Sequence, residues 1–205
     1  MISRAHAAVI AFARGGLTSL VGLLLPSTLV VFVEPWWSGV REIGPLLRTG
    51  LPLAGFVVGG MVGAAAVTHG ARGRLGFGAG FGVAGLILTP LYGNLQGLTG
   101  REHLGVVLGV VLPGFMLAYG TAGLIGGRLT SNSRSVRRAS SVGFAFGGAI
   151  GGLLILVPFF LSKAGWRLGG LAGLLAVTCS TVGAFVVPNA IGGAWLGRAL
   201  DREEI

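Results

Sequence analysis

The sequence predicts an all-α integral membrane protein, a glycine-rich bundle of six transmembrane helices with both termini cytoplasmic. Three observations carry that prediction. Charged residues make up 10% of the 205 and hydrophobic residues 53%, with a mean hydropathy of +0.85. A soluble domain carries about 25% charged residues, so this chain has too little polar surface to cover a globule of its size. Apolar runs of the roughly 18 or more residues that a spanning helix needs recur along the chain, and cations gather in the short connections between them.

The first span is placed at 17–33. Arg4 and Arg14 ahead of an apolar run resemble the front of a signal peptide, but the run is too long for one and ends in VEPWW instead of a small-x-small cleavage site. It reads as a retained helix kinked at Pro26. Residues 5–13 could instead lie along the inner surface as a short amphipathic lead-in. Residues 34–49 read as an interfacial segment, because Trp36 and Trp37 at the end of a span suit headgroup depth. A tryptophan pair gripping a ligand is the competing role.

The second span, 50–68, carries Gly55, Gly59 and Gly63 on one helix face. The third, 75–92, carries Gly76, Gly78, Gly80, Gly82 and Gly85, and ends near Pro90 and Tyr92. Each such glycine costs a helix in water about 1 kcal/mol relative to Ala. In a bilayer they mark places where helices approach closely, since packing must replace the missing hydrophobic drive. The fourth span, 103–126, contains Pro113; the fifth, 142–161, repeats the stripe with Gly143, Gly147 and Gly151. Between these two, residues 127–141 read as a basic cytoplasmic loop. The sixth span, 169–195, is the most polar, and a short solvated tail follows it.

Six spans place both termini on one side. That side receives Arg4, Arg14, Arg72, Arg74, Arg128, Arg134, Arg137, Arg138, Arg198 and Arg202, against Arg41, Arg48, Arg101, Lys163 and Arg167 on the other. The positive-inside rule then puts the termini in the cytoplasm, and a prokaryotic cytoplasmic membrane is the expected location. The odd spans also resemble one another: GLLLPSTLV at Gly22, GLILTPLYG at Gly85 and GLLILVPFFL at Gly152, with LGFGAGFGVAG at Leu75 matching VGFAFGGAIGG at Val142. Three parallel helical hairpins would follow, although the even spans align poorly.

The net charge of +9 does not point to nucleic acid, which needs a basic face interleaved with stacking aromatics. The single cysteine, Cys179, excludes an internal disulfide and a cysteine metal cluster. All six carboxylates and all three histidines lie at ends or in connections. That counts against a buried proton relay or an intramembrane protease, and no catalytic residue, metal or cofactor is expected.

Two groups of residues remain as candidates. Asn189 needs partners in hydrocarbon, and with Thr178, Ser180 and Thr181 it could line a polar path or neutral-solute site. The competing role is purely structural. Arg128, Arg134, Arg137 and Arg138 could contact anionic lipid headgroups at about 1 kcal/mol each, and Arg137 to Ser140 also resembles a basophilic kinase site. The expected function is a non-enzymatic membrane subunit or scaffold packed through glycine stripes, partnered by the bilayer and by other subunits or copies of itself. The alternative is a small permease or channel for a neutral or weakly polar solute.

Overall fold

The structure, a computed structural model, describes residues 3–33, 40–68, 70–95, 104–163 and 170–203. Six helices follow in order: α1 (Arg4–Val33), α2 (Val40–Ala64), α3 (Ala71–Leu95), α4 (Leu104–Thr130), α5 (Arg134–Lys163) and α6 (Gly170–Glu203), with no strand among the described residues. All six are long and apolar enough to cross a membrane. The chain is therefore a multi-pass helical membrane protein in contact with the lipid bilayer.

The helices outrun the apolar segments that announced them. At about 1.5 Å per residue, the 34 residues of α6 exceed the roughly 30 Å of a hydrocarbon core, so its end projects beyond the bilayer and the tail expected there is helical to Glu203. Likewise α1 starts at Arg4, not at residue 17. Ala8 and Phe12 are wholly buried, so residues 5–13 belong to the bundle and do not lie along a surface. Of the interfacial segment, 40–49 forms the first turns of α2, and 34–39, with both tryptophans, lies outside the described residues. The basic loop shrinks most: α4 reaches Thr130 and α5 begins at Arg134, leaving only 131–133 between them.

Each helix packs against its neighbour in sequence, and α6 returns to α1, closing a ring. Neighbours run antiparallel: Gly15 meets Gly59 while Gly22 meets Gly55, and Gly143, Gly147 and Gly151 meet Trp195, Pro188 and Ala184 in turn. At one end Arg4, Thr68, Arg72, Arg128, Asn132 and Leu200 surround a common cavity. The start of α1 and the end of α6 therefore share an end with the α2–α3 and α4–α5 connections.

The inside of the ring is filled with aromatic rings. Phe12 of α1, Phe77 of α3 and Phe144 of α5 touch one another, with centroids 5.1, 5.1 and 5.8 Å apart. Their helices do not pack as neighbours, so the three side chains meet on the axis. Phe81 and Tyr119 extend this layer, and Phe56, Phe115 and Phe185 form a second. Edge and tilted contacts of this kind add about 0.5–1.5 kcal/mol each beyond burial.

One contact recurs three times. The Phe12 ring fills the space beside Gly63, the Phe77 ring beside Gly126 and the Phe144 ring beside Gly192. Three residues after each phenylalanine, Gly15, Gly80 and Gly147 lie against the carbonyls of Gly59, Ala122 and Pro188. A β-carbon at Gly80 would sit 2.7 Å from the Ala122 oxygen, and one at Gly147 2.6 Å from the Pro188 oxygen. The even helices carry the matching residues as FVVGGMVG from Phe56, YGTAGLIG from Tyr119 and FVVPNAIG from Phe185.

Candidate functional site

Asn189 sits where this pattern departs from glycine. It occupies the position that Gly60 and Gly123 hold in the other two even-helix segments, and it is wholly buried. Pro188 before it lacks an N–H, which frees a carbonyl one turn back; that carbonyl, of Ala184, packs against Gly151 of α5. The amide nitrogen of Asn189 donates to the Phe185 carbonyl at 2.7 Å, within its own helix, and lies beside Gly16 of α1.

Tyr119 of α4 is also wholly buried, and its hydroxyl lies near the Asn189 side chain. Among the described residues, neither the Tyr119 hydroxyl nor the Asn189 carbonyl oxygen has an aligned hydrogen-bond partner. A buried polar group left without a partner costs about 1–3 kcal/mol. Their helices, α4 and α6, also approach each other across the ring.

A double-mutant cycle tests whether the two side chains are coupled. Tyr119→Phe and Asn189→Ala are each expected to destabilise the protein, and the pair to cost less than the sum, with a coupling of about 0.6–1.7 kcal/mol as for other intramembrane hydrogen bonds. Thermal unfolding in a neutral detergent reads it. Strictly additive costs would show that the two groups act independently.

The remaining residues of the polar cluster do not converge on Asn189. Thr178 and Cys179 are exposed on the outside of α6, and Thr181 is half-buried. Ser180 is buried but its hydroxyl donates to the Ala176 carbonyl one turn earlier, the usual way a helix absorbs a serine in lipid. Four consecutive residues are spread over about 300° of a helix's circumference, so they cannot all share a face. Tyr119, which the structure does bring to Asn189, was hidden from sequence reasoning by its ordinary place in an apolar helix.

The arginines lie on helices. Ser133 sits ahead of the first turn of α5, where its carbonyl accepts the Arg137 backbone N–H at 3.2 Å. Arg137 then folds back: its Nε donates to the Ser133 carbonyl at 3.2 Å and its guanidinium to the Asn132 carbonyl at 2.7 Å. It therefore secures the α4–α5 turn. Arg134 and Arg138 remain exposed and line two clefts, one with Arg128 and Arg137 on the α4 side, the other with Arg198 and Arg202 of α6.

Ser140, the acceptor of the kinase-like motif, is wholly buried and its hydroxyl donates to the Gly123 carbonyl at 2.8 Å. Ser141 does the same to Gly120 at 3.3 Å. These serines join α5 to α4, and a kinase cannot reach Ser140 in the folded bundle. Among the described residues no three His, Cys, Asp or Glu side chains gather as a metal site.

Compared with known proteins, the chain matches no family model, no curated protein and no solved structure.

Proposed function

We propose that the chain is a non-catalytic membrane scaffold, built from three parallel helical hairpins that close on themselves through glycine. The observation that carries this reading is the threefold recurrence of one contact, a core phenylalanine over an even-helix glycine: Phe12 on Gly63, Phe77 on Gly126 and Phe144 on Gly192. Odd-helix glycines are spent in the same hairpins, at Gly15, Gly80 and Gly147. Glycine stripes that are used inside one ring leave the outer surface to lipid, so the fold does not need a partner to be complete. What such a protein offers to others is that outer surface and its basic end.

The excess of arginine at the end holding both termini supports a cytoplasmic position for it, in a prokaryotic cytoplasmic membrane. Anionic headgroups are the natural partners there. Exposed Arg128, Arg134 and Arg138 serve as the headgroup contacts, with Arg137 holding the turn. Association with other membrane subunits, or between copies, would use the apolar outer face.

The permease reading keeps one supporting observation: Thr89 Oγ1, the Tyr119 hydroxyl and Asn189 Oδ1 are buried polar atoms without aligned partners among the described residues. Reconstitution separates the two. Proteoliposomes challenged with urea or glycerol in a stopped-flow light-scattering assay are expected to equilibrate at the rate of protein-free vesicles. Faster equilibration that Asn189→Leu abolishes, with reconstitution unchanged, would replace the scaffold by a solute path.

A further inference from the structure

We propose that the cleft between the start of α5 and the end of α6 binds one diphosphatidyl lipid, of the cardiolipin type, from the cytoplasmic leaflet. This deepens the headgroup contact proposed above and rests on that placement of the basic end. The cleft encloses about 720 Å³ and is lined by Arg134 and Arg138 from α5 and by Arg198 and Arg202 from α6.

Among the described residues none of these four guanidiniums has an ion-pair or hydrogen-bond partner. The nearby Glu203 carboxylate is occupied by the hydroxyls of Ser131 and Ser135, at 3.2 and 3.3 Å. Four like charges held around one cavity repel one another, and an anion entering it removes that repulsion. The charges are split between two helices, so a headgroup with two phosphates can bridge them where a single phosphate serves one side. The α5 N-terminus adds its own partial positive charge at Arg134.

The floor of the cleft favours a lipid over a free diphosphate. Val142 and Trp195 line it, and both are exposed, as is Phe146, whose ring lies 6.4 Å from the Trp195 ring. These side chains face outward toward the acyl region, directly below the arginines. Phosphates at the arginines thus leave acyl chains running over an aromatic strip. Basic pockets between helices on the cytoplasmic side are where such lipids are held.

The test uses the full chain, delipidated in neutral detergent and titrated with cardiolipin, phosphatidylglycerol or inorganic diphosphate under native mass spectrometry. One cardiolipin per chain is expected, held at least about tenfold more tightly than phosphatidylglycerol at matched charge. The double variant R198Q/R202Q should lose about 30-fold, the value of two headgroup contacts. R198K/R202K should keep most of the binding, and R72Q/R74Q, at the same end but outside the cleft, should keep all of it. Thermal unfolding checks that each variant is folded. Equal binding of the two lipids, or an equal loss in R72Q/R74Q, would overturn the site in favour of diffuse surface charge. Diphosphate binding alone as tightly as cardiolipin would overturn the lipid as occupant. None of these readouts depends on solute flux, so the cleft and the scaffold reading fail separately.

Discussion

Gly15→Val is expected to keep the ring from closing, with most of the protein lost as aggregate on extraction and the remainder unfolding well below the wild type. Any β-carbon at Gly15 collides with the Gly59 carbonyl oxygen, and one at Gly59 collides with the Gly15 oxygen and the Ser19 hydroxyl. Side chains can rotate away from an intruder, but two backbones cannot. The helices must separate, and they meet again at Gly22, where a β-carbon would lie 2.5 Å from the Gly55 Cα. Overpacking a core ordinarily costs about 1–3 kcal/mol; an obstacle made of backbone puts this variant at the top of that range or above it. Against a total stability of about 5–15 kcal/mol, that is a large fraction. Gly109→Val is the control, because among the described residues nothing lies within 4 Å of a β-carbon there. If both variants melt alike, the close approach of α1 and α2 is not what holds this face.

Phe12→Ala should come next in severity. Its ring touches Phe77 and Phe144 at 5.1 Å each and Phe81 at 6.5 Å, and fills the space beside Gly63. In water-soluble cores a Phe→Ala change costs about 3–5 kcal/mol, part transfer and part cavity. Here the reference state is already in lipid, which removes much of the transfer part. The cavity and the lost ring contacts remain, so roughly 2–3 kcal/mol is expected from those terms. Phe12→Leu, which keeps much of the volume, should cost below about 1.5 kcal/mol. Thermal unfolding in the same detergent ranks the three proteins. An alanine variant as stable as the wild type would mean that the aromatic layer fills space without holding the helices.

The membrane class and the six helices were legible because apolar runs, charge depletion and arginine placement are properties of composition along the chain. Helix ends were less so. Arg4 and Arg134 start helices that look, from hydropathy alone, as though they should start at residues 17 and 142; a helix continues past the bilayer at little cost, and hydropathy reports only the bilayer. The basic loop around Arg134, Arg137 and Arg138 was misread for that reason.

The proposed repeat draws on one of the sequence matches more than on the others. Matching Leu75 with Val142 agrees with the contacts, since it equates Phe77 with Phe144 and Gly80 with Gly147. Matching Gly22 with Gly85 does not, because the contacts equate Phe12 with Phe77, two residues out of step. The even helices were judged poorly alignable, yet Phe56, Tyr119 and Phe185 begin parallel segments. Glycine and leucine carry little register information in sequence; only the ring that lands on a particular glycine fixes it. For the polar cluster, a run of hydroxyls read as a unit dissolved once helical geometry sent Thr178 outward and Ser180 inward.

The return of α6 to α1 bears on how the protein is made. Gly193 and Gly197 of α6 lie against Ala8 and Ala5, and Gly16 against the Phe185 carbonyl. Helices that enter a membrane one after another can pair in order as they arrive, but this seam must wait for the last of the six. Until then α1 presents an open flank of small residues, and Tyr119 faces an empty position where Asn189 will come. Five inserted helices therefore form an incomplete barrel stave set, exposed along one side to whatever else is in the bilayer. Arrival of α6 closes that side and covers the Tyr119 hydroxyl in the same step.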